Sequence, residues 1–509
     1  MAEIRKNNRF ARINFNVISL FYFILSALSI LLFHFDFYFP IIMSLGLMAG
    51  VVFDFYFKLI KKRIGALMLI LLLVFLLPFV HIPPYLWFDF NSNPVVLWGL
   101  VANPYMLDEQ IIRLTAMIGA TGALGMGFGL SMIRLPIRRA GLSDEIERIA
   151  LHKPLSFLIW IVWMIIGVGL SWISAPKESI FTSMYTASES IHASMNFSSA
   201  WMISYVILTF SITDALIDRD HYRRSLKLGL SLASIFYVVV WLQLLRGDRE
   251  SVPWVFALSI LYFYWAAELV KRKRLVSPSI FKIFICAFLL IILSMVVGGM
   301  RQTSVGANLS DAVSIVFEMA SDGRLGLSNM LHGTWSAVLL TTLSVSGDHI
   351  HNLLPAKFGG DYLNIFLSLP PGFLADALGY IRPLDSTAGP AWEMRYGLGG
   401  THATVVPFLN FKMFGVFVIP AIWTSLLMHY EQRALRRISV INLSFLVTIV
   451  TAAPHFLWYG EKSGINAIII WIVLSFFYRI SLYISRIFEQ ANFNPGGYLE
   501  FRDSRDLAT

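Results

Sequence analysis

The amino-acid sequence predicts an all-α polytopic membrane protein, with about twelve transmembrane helices and one large extracytoplasmic segment between spans nine and ten. Three observations predict it. Only 14% of the 509 residues are charged and 57% are hydrophobic, whereas about a quarter of a soluble domain is charged; mean hydropathy is +0.68. Apolar runs of about twenty residues recur, the length a helix needs to cross roughly 30 Å of hydrocarbon. Lys and Arg come in short clusters between those runs, as in cytoplasmic loops beside a membrane. A β-barrel would show short alternating segments instead. The net charge of +9 sits in those loop clusters, so nucleic acid is not an expected partner. The single cysteine, Cys286, lies in an apolar run and excludes an intrachain disulfide. The first apolar run lacks a small-residue cleavage site and reads as a retained span.

Taken in order, Arg5, Lys6, Arg9 and Arg12 precede span one, about Phe15 to Phe35, and hold the N-terminus in the cytoplasm. Span two, about Ile41 to Phe57, ends at Lys58, Lys61, Lys62 and Arg63. Span three, about Ile64 to Ile82, exits through Pro83-Pro84-Tyr85-Leu86-Trp87, an aromatic interface belt. Span four, about Ile111 to Ile133, carries Gly119, Gly122, Gly125, Gly127 and Gly129. Small residues let helix backbones approach closely in lipid, so this helix is expected at the centre of the bundle. Spans five to nine follow, about Leu155 to Ile173, Met195 to Leu216, Leu226 to Leu245, Trp254 to Val270 and Ile280 to Val297. Spans ten to twelve are about Phe408 to Met428, Val440 to Pro454 and Ile465 to Ile484. With twelve spans the basic clusters all fall on the cytoplasmic side, together with both termini.

The stretch from Gly298 to Gly415 is of another kind: long, rich in Gly and Pro, and holding a cluster of Arg, His, Asp and Glu. Arg301 follows span nine directly. It either snorkels at the membrane edge or faces a cavity and binds an anion, for which a planar guanidinium is suited because it pairs bidentately with phosphate oxygens. With Arg382 and Arg395 in the same segment, the anion that fits is a lipid diphosphate. Trp392 and Tyr396 flank Glu393 and Arg395, and aromatic faces beside charges suit sugar rings. Asp348-His349-Ile350-His351 resembles a metal site in composition, but histidines two apart do not share a helix face and no further ligand cluster has zinc spacing, so no metal is expected. The apolar stretch Ser336 to Leu343 beside Trp335 suggests an interfacial or re-entrant helix. His402 follows two glycines, which permit tight turns beside a ligand, and stands just before span ten. It either packs the loop or acts as a base at the depth of Arg301. Elsewhere, Asp218-Arg219-Asp220 has the spacing of a metal–nucleotide-sugar site but reads better as a solvated loop. No phosphate-cradling loop, cysteine pair or HExxH is present.

Ordered along the chain, these features resemble the Wzy-type oligosaccharide repeat-unit polymerases, also called O-antigen polymerases, which are GT-C-like integral membrane glycosyltransferases. The matching pieces are Gly299-Met300-Arg301, then Gly359-Gly360-Asp361-Tyr362-Leu363, Leu369-Pro370-Pro371 and Arg382-Pro383, and last Gly399-Gly400-Thr401-His402-Ala403 with Asn410 and Gly415. Two departures are visible: the glycine of the last element is displaced to Gly415, and His402 stands near the family's usual Ser. The resemblance implies a multi-pass protein of a bacterial inner membrane, with transmembrane helices in 1–299 and 408–486, a periplasmic catalytic segment in 300–407, and a cytoplasmic tail in 487–509. It implies transfer of a growing glycan from undecaprenyl diphosphate to the non-reducing end of a new lipid-linked repeat unit. Partners would be those lipid-linked oligosaccharides, membrane lipid, a chain-length regulator and a flippase. Arg301, Arg382 and Arg395 would stabilise the departing diphosphate without a metal or other cofactor. His402, His351, Asp348 and Glu393 are the candidate general bases. Two other readings stay open: an O-antigen ligase, because His351-Asn352-Leu353 is similar to a histidine element of ligases, and a lipid-linked oligosaccharide flippase.

Overall fold

The computed structural model describes residues 17–31, 38–61, 64–82, 108–133, 154–174, 198–238, 262–270 (except 264), 285, 314, 334–354, 357–370, 375–383 (except 376 and 382), 400–436 and 438–493. The described chain is almost wholly helical and contains no strand, and five helices are long and apolar enough to cross a membrane: Phe39–Ile60, Glu109–Met132, Val405–Leu435, Val440–Trp458 and Glu461–Phe488. Shorter apolar helices cover Leu20–Leu31, Ala66–Val80, Phe157–Ile173 and Met202–Ile217. The protein is therefore a helical membrane protein, as the composition predicts.

Its centre is α4, Glu109–Met132; the helices before it are α1 (Val17–Leu31), α2 (Tyr38–Ile60) and α3 (Ala66–Leu76). Asp108 starts α4 by accepting the Gln110 N–H at 2.8 Å, which satisfies one of the orphan donors of a helix N-terminus. The glycine row then does what its spacing predicts. A Cβ at Gly125 or Gly129 would overlap the carbonyl oxygens of Phe417 and Ala421, and one at Gly119, Gly122 or Gly127 would strike Phe79, Phe75 or Tyr22. Tyr22 of α1, Phe75 of α3, Phe79 in the 3-10 turn that follows it, and the helix carrying Phe417 and Ala421 thus reach the α4 backbone through positions where no side chain fits. Ser425 adds a hydrogen bond to the Gly129 carbonyl at 2.9 Å.

After α5 (Phe157–Ser174), α6 (Ser198–Ile217) and α7 (His221–Phe236), the next long helices among the described residues are α8 (Thr334–Ile350), α9 (Gly360–Leu367), α10 (Val405–Arg436), α11 (Val440–Trp458) and α12 (Glu461–Phe493). Helix α8 forms where the sequence suggests an interfacial or re-entrant helix. It does not lie loose. Ser346 accepts from Thr115 of α4 at 3.1 Å, Thr341 donates to the Gly400 carbonyl at 2.7 Å, and Val338, Leu339 and Leu343 are buried. These contacts run α8 antiparallel to α4, with its start deep in the bundle and its end beside the start of α4. Helix α10 is broken at Lys412, whose φ of 55° and ψ of −147° are non-helical. Gly415 makes the break possible, since a Cβ there would overlap the Pro407 carbonyl.

The opposite end of the bundle is closed by matched charges. Glu431, near the end of α10, accepts the Gly65 and Leu67 N–H groups at 3.1 Å each and so caps the start of α3 from another helix. Lys227 of α7 is fully buried, 3.0 Å from Asp214, 2.9 Å from Asp218 and 3.0 Å from the Leu155 carbonyl. Asp214 also accepts from Tyr478 and from the Leu155 N–H. The solvated-loop expectation for Asp218-Arg219-Asp220 holds for the exposed Arg219 and Asp220 and is corrected at Asp218, which is buried on a lysine; Asp220 caps α7 through Tyr222 and Arg223.

Candidate functional site

Two of the family-like pieces, 49 residues apart, meet at the end of the bundle where α4 begins. Asn410 lies in the first turns of α10. Its side-chain oxygen accepts the Gly359 N–H at 3.0 Å and the Asp361 N–H at 3.3 Å, and its amide donates to Asp361 Oδ2 at 2.8 Å and to the Val406 carbonyl at 2.9 Å. An asparagine amide has two donors and two acceptor lone pairs, so Asn410 is saturated. Gly359 has φ of 89°, the left-handed conformation glycine adopts without strain, and this turns the chain into α9. Lys357 stands 3.8 Å from the buried Asp361 carboxylate. Tyr362 stacks on Phe411 at 6.0 Å, and burial followed by the facing Glu461 carboxyl raises its phenol well above the ordinary value.

On the other side of the same turns of α10 is a cleft of about 430 Å³, lined by Ile30, Gln110, Leu114, Met117, His349, Ile350, Asn352 and Met413. The end of α8 shapes it. Asn352, with φ of 56°, stops the helix; the Leu353 N–H returns to the Asp348 carbonyl and the Asn352 N–H to that of His349. This is the left-handed helix stop for which Asn substitutes for Gly. His349 meets the edge of Phe408 at 5.1 Å, and burial and then the Lys412 ammonium hold its imidazole below the usual range. His351 is exposed beyond the helix end, and Asp348 is buried.

His402 lies deeper. The segment Gly400–Ala403 runs along the end of α11: the Thr401 and Ala403 N–H groups donate to the Trp458 and Leu457 carbonyls, which a helix terminus otherwise leaves unsatisfied. Gly400 has φ of 133°, and a Cβ there would press on the Trp458 carbonyl oxygen. His402 is 0% exposed, with Nε2 at 2.8 Å from the Phe75 carbonyl, Nδ1 at 2.8 Å from the Thr404 hydroxyl, and Phe75 and Phe79 against its ring. Burial lowers its pKa to about 4. This geometry favours the packing reading over the base reading, because both ring nitrogens are engaged inside the protein.

Arg301, Arg382, Arg395, Trp392, Glu393 and Tyr396 lie outside the described residues. Among the described residues no cluster of His, Cys, Asp and Glu could hold a metal. Asp361 and Asn410 are visible in the sequence as motif pieces but not as partners. Lys412 carries no sequence signal at all, since nothing marks a lysine for a positive φ. No family model matches the chain, and no curated protein or solved structure matches it.

Proposed function

We propose that the protein is a twelve-span glycosyltransferase of a bacterial inner membrane, with cytoplasmic termini, that polymerises lipid-linked oligosaccharide repeat units at the outer face. The observation that carries the reading is the saturated Asn410 clamp on Gly359 and Asp361. It joins two pieces of the ordered motif at the end of the bundle that should face outward. Substrates with a lipid anchor and a polar head can reach such an end laterally. Arg301, Arg382 and Arg395 are assigned to the departing diphosphate, and Trp392 and Tyr396 to sugar. His351, Asp348 and Glu393 remain the candidate bases, while His402 positions the loop between α3 and α11.

The test is reconstitution of the purified protein in nanodiscs with an undecaprenyl-diphosphate oligosaccharide. A ladder of glycans differing by one repeat unit, formed equally well in EDTA, is the expected result. Glycan appearing on added lipid A-core would make it a ligase, and movement of unaltered lipid across the bilayer would make it a flippase. Unchanged substrate with folded protein would remove the glycosyltransferase reading.

A further inference from the structure

Glu461 opens α12 directly after Gly460, whose φ of 102° turns the chain out of α11. In the sequence, span twelve begins only at about Ile465, so this carboxyl belongs to the connection at the outward end. It is 6% exposed, and it faces the Tyr362 phenol near the start of α9. The two groups do not close a hydrogen bond of good geometry. Among the described residues, Glu461 Oε1 and the Tyr362 hydroxyl are both buried without one.

That sets Glu461 apart from Glu431, Asp214 and Asp361. Glu431 receives two backbone N–H groups, Asp214 a lysine, a tyrosine and an N–H, and Asp361 the Asn410 amide. A buried carboxylate oxygen left without a donor is unfavourable, and in a folded protein it calls for a reason. The surroundings supply one. A Cβ added at Gly360 or at Gly460 would meet nothing within 4 Å, so the chain is open beside both partners. Phe411, 38% exposed, stacks on Tyr362 at 6.0 Å and sets an aromatic surface beside the carboxyl, as suits a sugar ring. The Asn410 clamp on Asp361 fixes the backbone next to Tyr362. Asp348 and His351, by contrast, are both engaged by other groups.

We propose that Glu461 is the catalytic base that takes the proton of the acceptor hydroxyl, with Tyr362 as the residue that positions its carboxylate. The assignment rests on the glycosyltransferase reading above. In the step, the acceptor hydroxyl oxygen bonds to the anomeric carbon of the growing glycan. The bond from that carbon to the diphosphate oxygen breaks, and its electron pair leaves with the diphosphate. The hydroxyl proton passes to Glu461, and the Tyr362 hydroxyl donates to the same carboxylate and orients it.

The experiment uses full-length protein in nanodiscs with the undecaprenyl-diphosphate oligosaccharide and follows initial rates of chain growth. Glu461→Gln keeps the shape and should lower kcat about a hundredfold or more, with KM little changed. Formate should restore part of the rate to Glu461→Ala, where it can occupy the vacated space, and none to Glu461→Gln, where the amide fills it. A carboxyl that only held α12 against α9 would not be replaced by formate. Tyr362→Phe should lower kcat about tenfold, the worth of one hydrogen bond. A second measurement needs no turnover and no variant. Dicyclohexylcarbodiimide, an apolar reagent for carboxyls, should label Glu461 in the wild type, and the lipid-linked oligosaccharide should protect it, as read by mass spectrometry. A wild-type rate in Glu461→Gln, a loss without formate rescue in folded Glu461→Ala, or labelling that the oligosaccharide does not slow would overturn the assignment. The two proposals fail separately. A wild-type ladder from Glu461→Gln would remove the base and keep the polymerase. A wild type that forms no ladder while the oligosaccharide protects Glu461 would remove the polymerase and keep Glu461 at the glycan site.

Discussion

Exchanging Asn410 and Asp361 tests whether the clamp between them holds the α9 turn against α10. In Asn410→Asp the shape is kept but both amide donors become acceptors. The Asp361 Oδ2 that received a bond at 2.8 Å now faces a second carboxylate, and the Val406 carbonyl loses its partner at 2.9 Å. Each buried polar group left unsatisfied costs about 1–3 kcal/mol, so the two lost bonds predict about 2–6 kcal/mol before repulsion is added. The two bonds that Asn410 accepts from the Gly359 and Asp361 N–H groups survive in the variant. The double variant Asn410→Asp/Asp361→Asn restores one donor–acceptor pair with the roles reversed and should recover about half of the loss. Lys357 offers a local readout, because its peptide bond lies in the turn that the clamp fixes. Tryptic cleavage there tracks the open population when reclosing is fast. A loss of about 3 kcal/mol corresponds to cleavage faster by about a hundredfold, and the double variant should fall between. Cleavage of Asn410→Asp at the wild-type rate would refute the clamp. A double variant no better than the sum of its singles would refute the pairing.

Three further outcomes are expected. Lys227→Met strands two buried carboxylates that now sit at 3.0 and 2.9 Å from the ammonium, so it should cost about 3–5 kcal/mol in thermal unfolding in detergent, with partial recovery in Lys227→Met/Asp214→Asn. Gly125→Ala forces a methyl into the Phe417 carbonyl and should cost about 1–3 kcal/mol, whereas Gly46→Ala, with nothing within 4 Å of the added carbon, should be neutral; heat-retained fraction on size-exclusion separates them. His402 is neutral in the fold down to about pH 4, while the unfolded imidazole protonates near 6.5. Its stabilising share is therefore whole above about pH 6.5 and lost as pH falls toward 4, about 3 kcal/mol in all; the melting temperature of the wild type should drop over that window more steeply than that of His402→Gln.

How far the sequence could be read depended on the range of each interaction. The α4 glycines are legible because what they signal, close helix approach, is a property of one face of one helix. The helix at 334–350 is legible only as an apolar stretch, since its seat against α4 is fixed by Ser346 and Thr341 meeting partners far away in sequence. Asn410 and Asp361 are each visible, but their pairing depends on a left-handed Gly359 and a break at Lys412 that place two remote segments in register. His402 shows the limit most clearly. Two glycines and a nearby span suit a catalytic base and a packed imidazole equally, and the enclosure by Phe75 and Phe79 that favours packing has no signal in the sequence.

The two ends of the bundle differ in how they treat buried polarity, and that difference is the physical basis for locating chemistry at one of them. At the Glu431 end the buried charges of Glu431 and Lys227 are answered by the protein: Glu431 by two helix-start amides, and Lys227 by two aspartates and a carbonyl. Such groups hold helices in register and leave nothing for a ligand. At the other end, irregular backbone is carried into the apolar bundle at Gly400–Ala403 and at the Lys412 break. In lipid this is tolerated only where the backbone is buried in protein or lines a cavity. The first donates two N–H groups to the end of α11 and accepts from Thr341 of α8 at the Gly400 carbonyl, so it is structural. The second lines the cleft through Met413, and Lys412 at the break lies over the Phe408 ring at 5.5 Å.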